Sequence, residues 1–228
     1  MLGDMSRREQ RWDQVDAYLM DTFVPRDEAF AAALAESEKA GLPTIQVSPP
    51  QGRLLELLAR VLRARSILEI GTLGGYSTLW LARGLPPGGR ILTLELEAKH
   101  AEVARRNFER AGRAGVIELR LGPALETLPR LVEERAGPFD LIFVDADKQN
   151  LADYFTWSVR LSRPGTLIVV DNVIREGDVV DAKSPDAMVQ GVRRMNERIA
   201  AEPRVSATAL QTVGVKGYDG LAFVLVEG

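Results

Sequence analysis

The sequence predicts an α/β fold: a doubly wound sheet of seven mostly parallel strands with one antiparallel edge strand, preceded by extra N-terminal helices. From residue 66 onward, short runs rich in β-branched residues alternate five times with amphipathic stretches. This alternation is typical of parallel strands connected by helices. The last two predicted strands are joined only by the glycine-rich VGVKGYDG, which favours a hairpin over a helical crossover.

The first 65 residues are predicted to be helical. Apolar residues from Trp12 to Leu19 recur at the three- and four-residue spacing of one helix face, and the alanine-rich DEAFAAALAESEKAG stops at Gly41. Pro49 and Pro50 suit the start of a third helix, which continues through RLLELLARVLRA. The apolar faces of these helices must cover another surface.

The remaining elements follow in order along the chain. The predicted strands are SILEIG, RILTLEL, VIELRLG, FDLIFVDA, GTLIVVDN, RVSATALQTV and GLAFVLV. Helices are predicted to begin near Tyr76, Ala98, Ala124, Gln149 and Ser184. Since no repeat or linker interrupts the pattern, we expect a single domain over 1–228, with a helical region at 1–65 and the doubly wound core at 66–228.

The composition excludes several classes of function. Lys and Arg number 29 against 32 Asp and Glu, which provides no basic field for a nucleic acid. The chain has no cysteine and a single histidine, His100, so a metal would be bound by oxygen. No apolar run approaches the roughly 20 residues that span a bilayer, and the N-terminus is too charged for a secretory signal. We therefore expect a cytoplasmic protein without a membrane partner.

A glycine-rich turn, GTLGGYST, follows the first predicted strand. Glycines there permit a tight turn and a close approach of the backbone to a ligand, although such turns also occur for structural reasons alone. Glu95 closes the second strand, where an acid can accept hydrogen bonds from both hydroxyls of a ribose. Turn and acid together predict an adenosine-containing ligand.

The turn departs from the dinucleotide pattern GxGxxG, because Gly71, Leu73 and Tyr76 occupy the three glycine places. Glu69 precedes the turn, where its carboxylate would repel a pyrophosphate but could accept hydrogen bonds from an ammonium group or hold the loop. These features favour a cationic ligand such as S-adenosylmethionine over NAD.

Polar residues follow two further strands, in FVDADK and VVDN. Asp145, Asp171 and Asn172 would border one crevice, because the ends of neighbouring strands converge in a doubly wound sheet. Their oxygen donors suit Mg²⁺, Ca²⁺ or Mn²⁺. A single Asp at a strand end can instead cap the next helix. Lys148 is either a solvated lysine or a general base, since desolvation beside a cation favours the neutral amine that accepts a proton.

These motifs resemble those of the cation-dependent O-methyltransferases, the group that contains catechol O-methyltransferase and plant caffeoyl-CoA O-methyltransferase. LEIGTLGGYST, GPALETLP, FDLIFVDADK, VVDNV and YDGLAFVL match bacterial members in order and spacing, from about residue 40 to the end. The resemblance implies a Rossmann-like methyltransferase fold and a homodimer. It also implies in-line methyl transfer from S-adenosylmethionine to one hydroxyl of an aromatic vicinal diol, usually with Mg²⁺.

The resemblance further implies a role for each matching residue. Asp145, Asp171 and Asn172 look like metal ligands, and Lys148 looks like the base that deprotonates the hydroxyl. The implied cofactor-binding residues are Val47, Glu69, Gly71, Thr72, Ser77, Glu95, Ala124 and Asp147. The implied substrate contacts are Asp145, Lys148, Asn172 and Glu176.

The chain departs from the plant pattern on the substrate side. A plant tyrosine and a plant tryptophan are replaced by Leu151 and Arg175, and Glu176 stands where a plant asparagine contacts substrate. We therefore expect a vicinal diol other than caffeoyl-CoA. The segment IREGDVVDAKSPDAM, with Gly177 and Pro185, is expected to form a mobile lid.

Other functions compete with this interpretation. They are methylation of a non-catechol small molecule, a methyltransferase-like protein that binds without turnover, an NAD-linked oxidoreductase, and nucleic-acid methylation, which the acidic balance opposes. His100 is expected to be a solvated helix residue. Trp12, Trp80 and Trp157 are expected to pack against the core.

Overall fold

A computed structural model describes residues 2–228, and its first three helices precede the sheet. They are α1 (Leu2–Phe23), α2 (Glu28–Lys39) and α3 (Pro49–Val61). The Asp27 side chain caps α2 by accepting a hydrogen bond from the Ala29 N–H. Ser48 and Gln51 form a reciprocal capping box at the start of α3. Helices therefore occupy the N-terminal region, as the periodicity and the two prolines predict.

Seven strands form one sheet. They are β1 (Ser66–Ile70), β2 (Arg90–Glu95), β3 (Ile117–Leu121), β4 (Leu141–Val144), β5 (Leu167–Asp171), β6 (Val205–Gly214) and β7 (Gly217–Val226). The spatial order is β3-β2-β1-β4-β5-β7-β6, and β1 to β5 pair in parallel. Strand β7 is antiparallel to both β5 and β6. The predicted doubly wound, mostly parallel sheet with an antiparallel edge is thus confirmed, with β7 inserted before the outermost β6.

Five helices connect or flank the strands: α4 (Tyr76–Gly84), α5 (Ala98–Arg110), α6 (Ala124–Glu133), α7 (Leu151–Arg160) and α8 (Ala187–Ala201). The predicted starts of the first three are confirmed. Helix α7 begins at Leu151 rather than near Gln149, because a 3-10 turn over Lys148–Asn150 precedes it. Helix α8 begins at Ala187 rather than near Ser184, because the Asp186 side chain caps it through the Met188 N–H.

Two apolar cores cover the two faces of the sheet, since successive strand residues point to opposite faces. Leu68 of β1 lies in the core beneath α6, α7 and α8, whereas Ile67 lies in the core beneath α3, α4 and α5. Phe30 of α2 belongs to the second core and packs on Trp80, whose side chain is buried as expected. This packing holds the chain between α2 and α3 near the carboxyl ends of the strands. Within residues 2–228, no helix is long and apolar enough to cross a membrane.

Candidate active site

A crevice follows the carboxyl ends of β1, β4 and β5, where the strand order reverses. It consists of a larger cavity of about 790 Å³ and a smaller one of about 540 Å³, and Asn172 and Arg175 line both. The glycine turn and the ends of β2 and β3 bound the larger cavity. The tip of the β6–β7 hairpin and the segment after β5 bound the smaller one. Ligands of doubly wound sheets bind at this edge, so the crevice is the candidate active site.

The turn after β1 requires glycine at two positions. Gly71 has a φ of 100°, and a Cβ there would overlap the carbonyl oxygen of Asp145. Gly75 has a φ of 81°, and a Cβ there would overlap the ring of Phe108. Glycine alone adopts such angles without strain. The close passage of the turn against the end of β4 brings Thr72 and Asp145 to the same cavity.

Glu69 lies behind the turn and not on the cavity wall. Its fully buried carboxylate accepts hydrogen bonds from the hydroxyls of Ser77 and Thr93, each at 2.6 Å, and from the hydroxyl of Thr78. The sequence left two roles open for this residue, an ammonium contact or support of the loop. In this geometry Glu69 supports the loop, because it ties β1 to the first turn of α4 and to β2.

Replacement of Glu69 by Gln is expected to change how stability depends on pH. Burial raises the pKa of Glu69 from 4.5 to about 7, against the opposing effect of its three hydroxyl partners. A raised pKa means that the folded state retains a proton that the unfolded state has released, so stability falls as pH rises from about 4.5 through 7. Relative to Glu69→Gln, the wild-type protein should lose about 2 kcal/mol of unfolding free energy between pH 5 and 8.

Urea unfolding at the two pH values measures this difference. Glu109→Gln, at an exposed position of α5, is the matched control and should keep the wild-type pH dependence. The same pH dependence in the wild-type protein and in Glu69→Gln would contradict the prediction.

Glu95, at the end of β2, holds the turn from the other side. Its Oε2 accepts hydrogen bonds from the backbone N–H groups of Thr72 at 3.2 Å and Leu73 at 2.7 Å, and its Oε1 accepts one from Glu97 at 2.9 Å. The Nδ1 atom of His100 lies 3.4 Å from Oε1. The prediction of a solvated His100 is wrong: the residue lies in the first turn of α5, turned toward Glu95, and it lines the larger cavity.

The structure brings most of the predicted cofactor residues to one place. Those that line the larger cavity are Val47, Gly71, Thr72, Ser77, Glu95, Ala124 and Asp147. The carboxylate of Asp147 accepts hydrogen bonds from the hydroxyl of Tyr154 at 2.5 Å and from the amide of Asn150 at 2.6 Å. Burial and the charge of Asp147 raise the pKa of Tyr154, so this hydroxyl stays a donor. Of the eight predicted cofactor residues, only Glu69 does not line the larger cavity.

Asp145 and Lys148 line the larger cavity, Asp171 lines the smaller one and Asn172 lines both, so these four residues lie where the two cavities join. Asp145 follows β4 and Asp171 ends β5, and these two strands are adjacent and parallel. The buried Nζ of Lys148 donates a hydrogen bond to Asp145 Oδ1 at 2.9 Å. The buried Asp171 accepts from the Asn172 N–H at 2.7 Å and from the side-chain amide of Gln51 at 2.9 Å.

The charges of this cluster favour a cation. Burial and the negative charge of Asp145 raise the pKa of Asp171 to about 7, although Lys148 and the Asn172 N–H oppose this. Asp219 adds a third carboxylate that raises the pKa of Asp171, and Lys216 is a second ammonium that interacts with Asp145 and Asp171. In residues 2–228 no group of three or more His, Cys, Asp or Glu side chains is placed to hold a metal ion, and here the third donor is an amide. Two carboxylates and an amide carbonyl are all oxygen donors, and such a set fits a hard divalent cation.

The segment expected to form a lid contains a 3-10 turn over Arg175–Val180. Asn172, Arg175 and Glu176 all have a φ between 55° and 59°, a strained region for residues other than glycine. The side chain of Asp219, on β7, accepts hydrogen bonds from the N–H groups of Ile174 at 2.9 Å and Arg175 at 3.1 Å. The start of the segment is therefore tied to the sheet.

The departures from the plant pattern do not all reach the crevice. Leu151 is fully buried in the core beneath α6 and α7 and lines neither cavity. Arg175 lines both cavities, and the exposed Glu176 lines the smaller one. Sequence reasoning missed Gln51 and Lys216, which also line the smaller cavity. The capping motif SPPQ marks Gln51 as a helix-start residue, but no local signal indicates its contact with Asp171.

The fold and the crevice define an enzyme of the doubly wound methyltransferase class. The chain belongs to the O-methyltransferase family, because the model of that family matches residues 24–225. It is 53% identical over 218 residues to catechol O-methyltransferase of Niastella koreensis, covering 96% of this chain and 99% of that protein.

Solved structures agree with this assignment. The O-methyltransferase from Bacillus cereus in complex with SAH superposes with a TM-score of 0.94 at 55% identity, covering 96% of this chain and 99% of that one. The O-methyltransferase TomG from Streptomyces achromogenes, in complex with SAM, gives a TM-score of 0.93 at 50% identity, covering 96% and 99% of the two chains.

Proposed function

We propose that this O-methyltransferase transfers a methyl group from S-adenosylmethionine to one hydroxyl of a catechol-type small molecule with the help of a divalent cation. Mg²⁺ is the proposed cation, with Ca²⁺ and Mn²⁺ as alternatives. The observation that carries the proposal is the meeting of Lys148, Asp145, Asp171 and Asn172 at the junction of the two cavities. The named relative and the SAH- and SAM-bound relatives support it.

We assign the larger cavity to the cofactor. Glu95 would accept hydrogen bonds from the ribose hydroxyls with the lone pairs that its backbone partners leave free. Gly71, Thr72 and Ser77 would line the methionine end, and Glu69 would act through Ser77 by holding the turn. Further contacts are assigned to Val47, Ala124 and Asp147.

We assign the smaller cavity to the substrate, with its reacting hydroxyl at the junction. Bound S-adenosylmethionine supplies an electrophilic methyl group, and a bound divalent cation supplies positive charge beside the diol. In its neutral amine form Lys148 would take the proton of the hydroxyl and become an ammonium, with Asp145 holding its Nζ in place. Asn172 and Glu176 would face the substrate. The residues position the reactants for in-line displacement, which requires no covalent intermediate on the protein.

A methyl-transfer screen tests this function. Aromatic vicinal diols and the matching monophenols are incubated with S-adenosylmethionine and Mg²⁺, and the products are identified by mass spectrometry. We expect a single added methyl group on vicinal diols and at least about tenfold slower reaction of the monophenols, which lack the second oxygen that fixes the pose. Equal rates for diols and monophenols would refute the catechol assignment. The screen includes caffeoyl-CoA, which we expect to be a poor substrate because charged residues line the smaller cavity.

The domain organisation and the assembly are further proposals. We infer one domain over 1–228, since α2 and α3 share a core with α4 and α5. A homodimer remains a prediction from the resemblance. Exposed apolar residues on α1 and β6, among them Tyr18, Phe23 and Leu210, offer a surface that a second copy could cover. The cytoplasmic location also remains a prediction.

A further inference from the structure

Gln51 links the start of α3 to the acidic cluster. Its Nε2 donates a hydrogen bond to Asp171 Oδ2 at 2.9 Å, although the two residues lie 120 positions apart in the chain. Gln51 also lines the smaller cavity. Neither the reaction proposed above nor the resemblance assigns it a role.

The orientation of the Gln51 amide is fixed at both ends. Its Oε1 accepts from the Ser48 N–H at 3.4 Å, and its Nε2 faces a carboxylate, which can only accept. A flipped amide would place two donors together at Ser48 and two acceptors together at Asp171. The capping box therefore aims a donor at the carboxylate.

This donor completes the restraint on Asp171. The Asn172 N–H holds Oδ1 at 2.7 Å and Gln51 holds Oδ2, so each carboxylate oxygen has one fixed partner. Two ammonium groups lie nearby, and each has its own partner: Lys148 is paired with Asp145 at 2.9 Å, and Lys216 donates to the Thr44 carbonyl at 2.8 Å. Gln51 is a neutral donor, so it fixes the carboxylate without bringing a positive charge that would compete with a cation.

We propose that Gln51 is a positioning residue for the cation site, which holds Asp171 in the orientation that binds a divalent cation. This inference rests on the cation dependence proposed above. Groups that orient the ligands of a metal typically change its affinity by about 10- to 100-fold when they are replaced. Loss of the Gln51 amide should therefore weaken cation binding, while the cofactor cavity, which Gln51 does not line, keeps its affinity.

The test uses the full-length protein and Mn²⁺, whose free concentration is read by electron paramagnetic resonance. Gln51→Met keeps the length of the side chain but removes the donor, and it should raise the Kd for Mn²⁺ about 10- to 100-fold. The Kd for SAH, measured by calorimetry, should stay within about twofold, which also shows that the variant is folded. Ser48→Ala is the matched control: it removes the capping hydroxyl from the same helix end but keeps the Gln51 donor, so its Mn²⁺ affinity should equal that of the wild-type protein.

The outcomes separate the two proposals. Equal Mn²⁺ affinity of the wild-type protein and Gln51→Met would overturn the role of Gln51 alone. An equal loss of affinity in Ser48→Ala would also overturn it, because the effect would then come from the helix end. No Mn²⁺ binding by the wild-type protein would overturn both the cation proposal and this one. If Gln51→Met does not fold, Gln51→Ala is measured in the same way.

Discussion

Removal of divalent cations with EDTA is expected to lower methylation of a catechol by at least about 100-fold, and excess Mg²⁺ should restore it. The reason is electrostatic. Asp145 and Asp171 converge at the cavity junction, and burial together with the charges of Asp145 and Asp219 raises the pKa of Asp171 although Lys148 opposes this. A diol oxygen that loses its proton there adds further negative charge. Without a divalent cation this added charge stands beside carboxylates in a partly buried site, where it costs several kcal/mol.

Initial rates at buffered free Mg²⁺ concentrations measure this effect, with Ca²⁺ and Mn²⁺ tested in parallel. Asp171→Asn preserves the shape of the side chain but removes its charge, and it should shift the Mg²⁺ dependence to higher concentrations. Asp178→Asn is the matched control. This exposed acid lines the smaller cavity, as Asp171 does, but it is not one of the proposed metal ligands. Full activity of the wild-type protein in EDTA would disprove the role of the cation.

The sheet was predictable because its signals are local. Strands β4 and β5 are short apolar runs, and their acidic ends follow directly in the sequence. The meeting of Asp145 and Asp171 therefore required only the rule that parallel strands end at one edge. The glycine-rich VGVKGYDG predicted the β6–β7 hairpin. The turn itself is tighter than that segment, since Gly214 pairs with Gly217 and only two residues lie between the strands.

The parts of the site that could not be predicted depend on tertiary contacts. The local sequence indicates only that Gln51 caps α3. Its contact with Asp171 arises because α3 packs against the sheet, which brings the Gln51 amide to the carboxylate. His100 looks exposed among charged neighbours, but the first turn of α5 points it toward Glu95. The role of Glu69 was left open because its three hydroxyl partners come from α4 and β2. In each case the local sequence pattern identified the residue or its secondary-structure element, whereas its contact partner depended on tertiary packing.

The resemblance had a similar limit at the two substrate-side departures. Leu151 and Arg175 both replace plant aromatic residues, and the sequence gives no reason to treat them differently. In the structure Leu151 packs in the core at the start of α7, while Arg175 faces both cavities. We therefore expect the change to Arg175, and not the change to Leu151, to affect which diols fit. Glu176 and Lys216 line the smaller cavity with Arg175 and should contribute to the same selection.

Replacement of Lys148 by Ala is expected to lower kcat by about 10²- to 10⁴-fold, the usual contribution of a general base. The affinity for S-adenosylmethionine should change little, because the Lys148 ammonium bonds to Asp145 at the junction and not to the residues around Glu95. Single-turnover rates and calorimetry separate the two quantities. Lys183→Ala, at an exposed position after β5, is the matched control and should keep the wild-type kcat.

Two further measurements distinguish a base from a charge at Lys148. Lys148→Arg keeps a positive charge beside Asp145, but a guanidinium does not release its proton in proteins, so it should be nearly as slow as Lys148→Ala. In both variants the substrate hydroxyl must lose its proton without a general base. Since a phenol titrates near pH 10, their rates should rise with pH up to about 9 or 10, where the wild-type rate no longer increases. Near-normal kcat in Lys148→Arg would show that the lysine supplies charge alone, and the proton would then leave by another route.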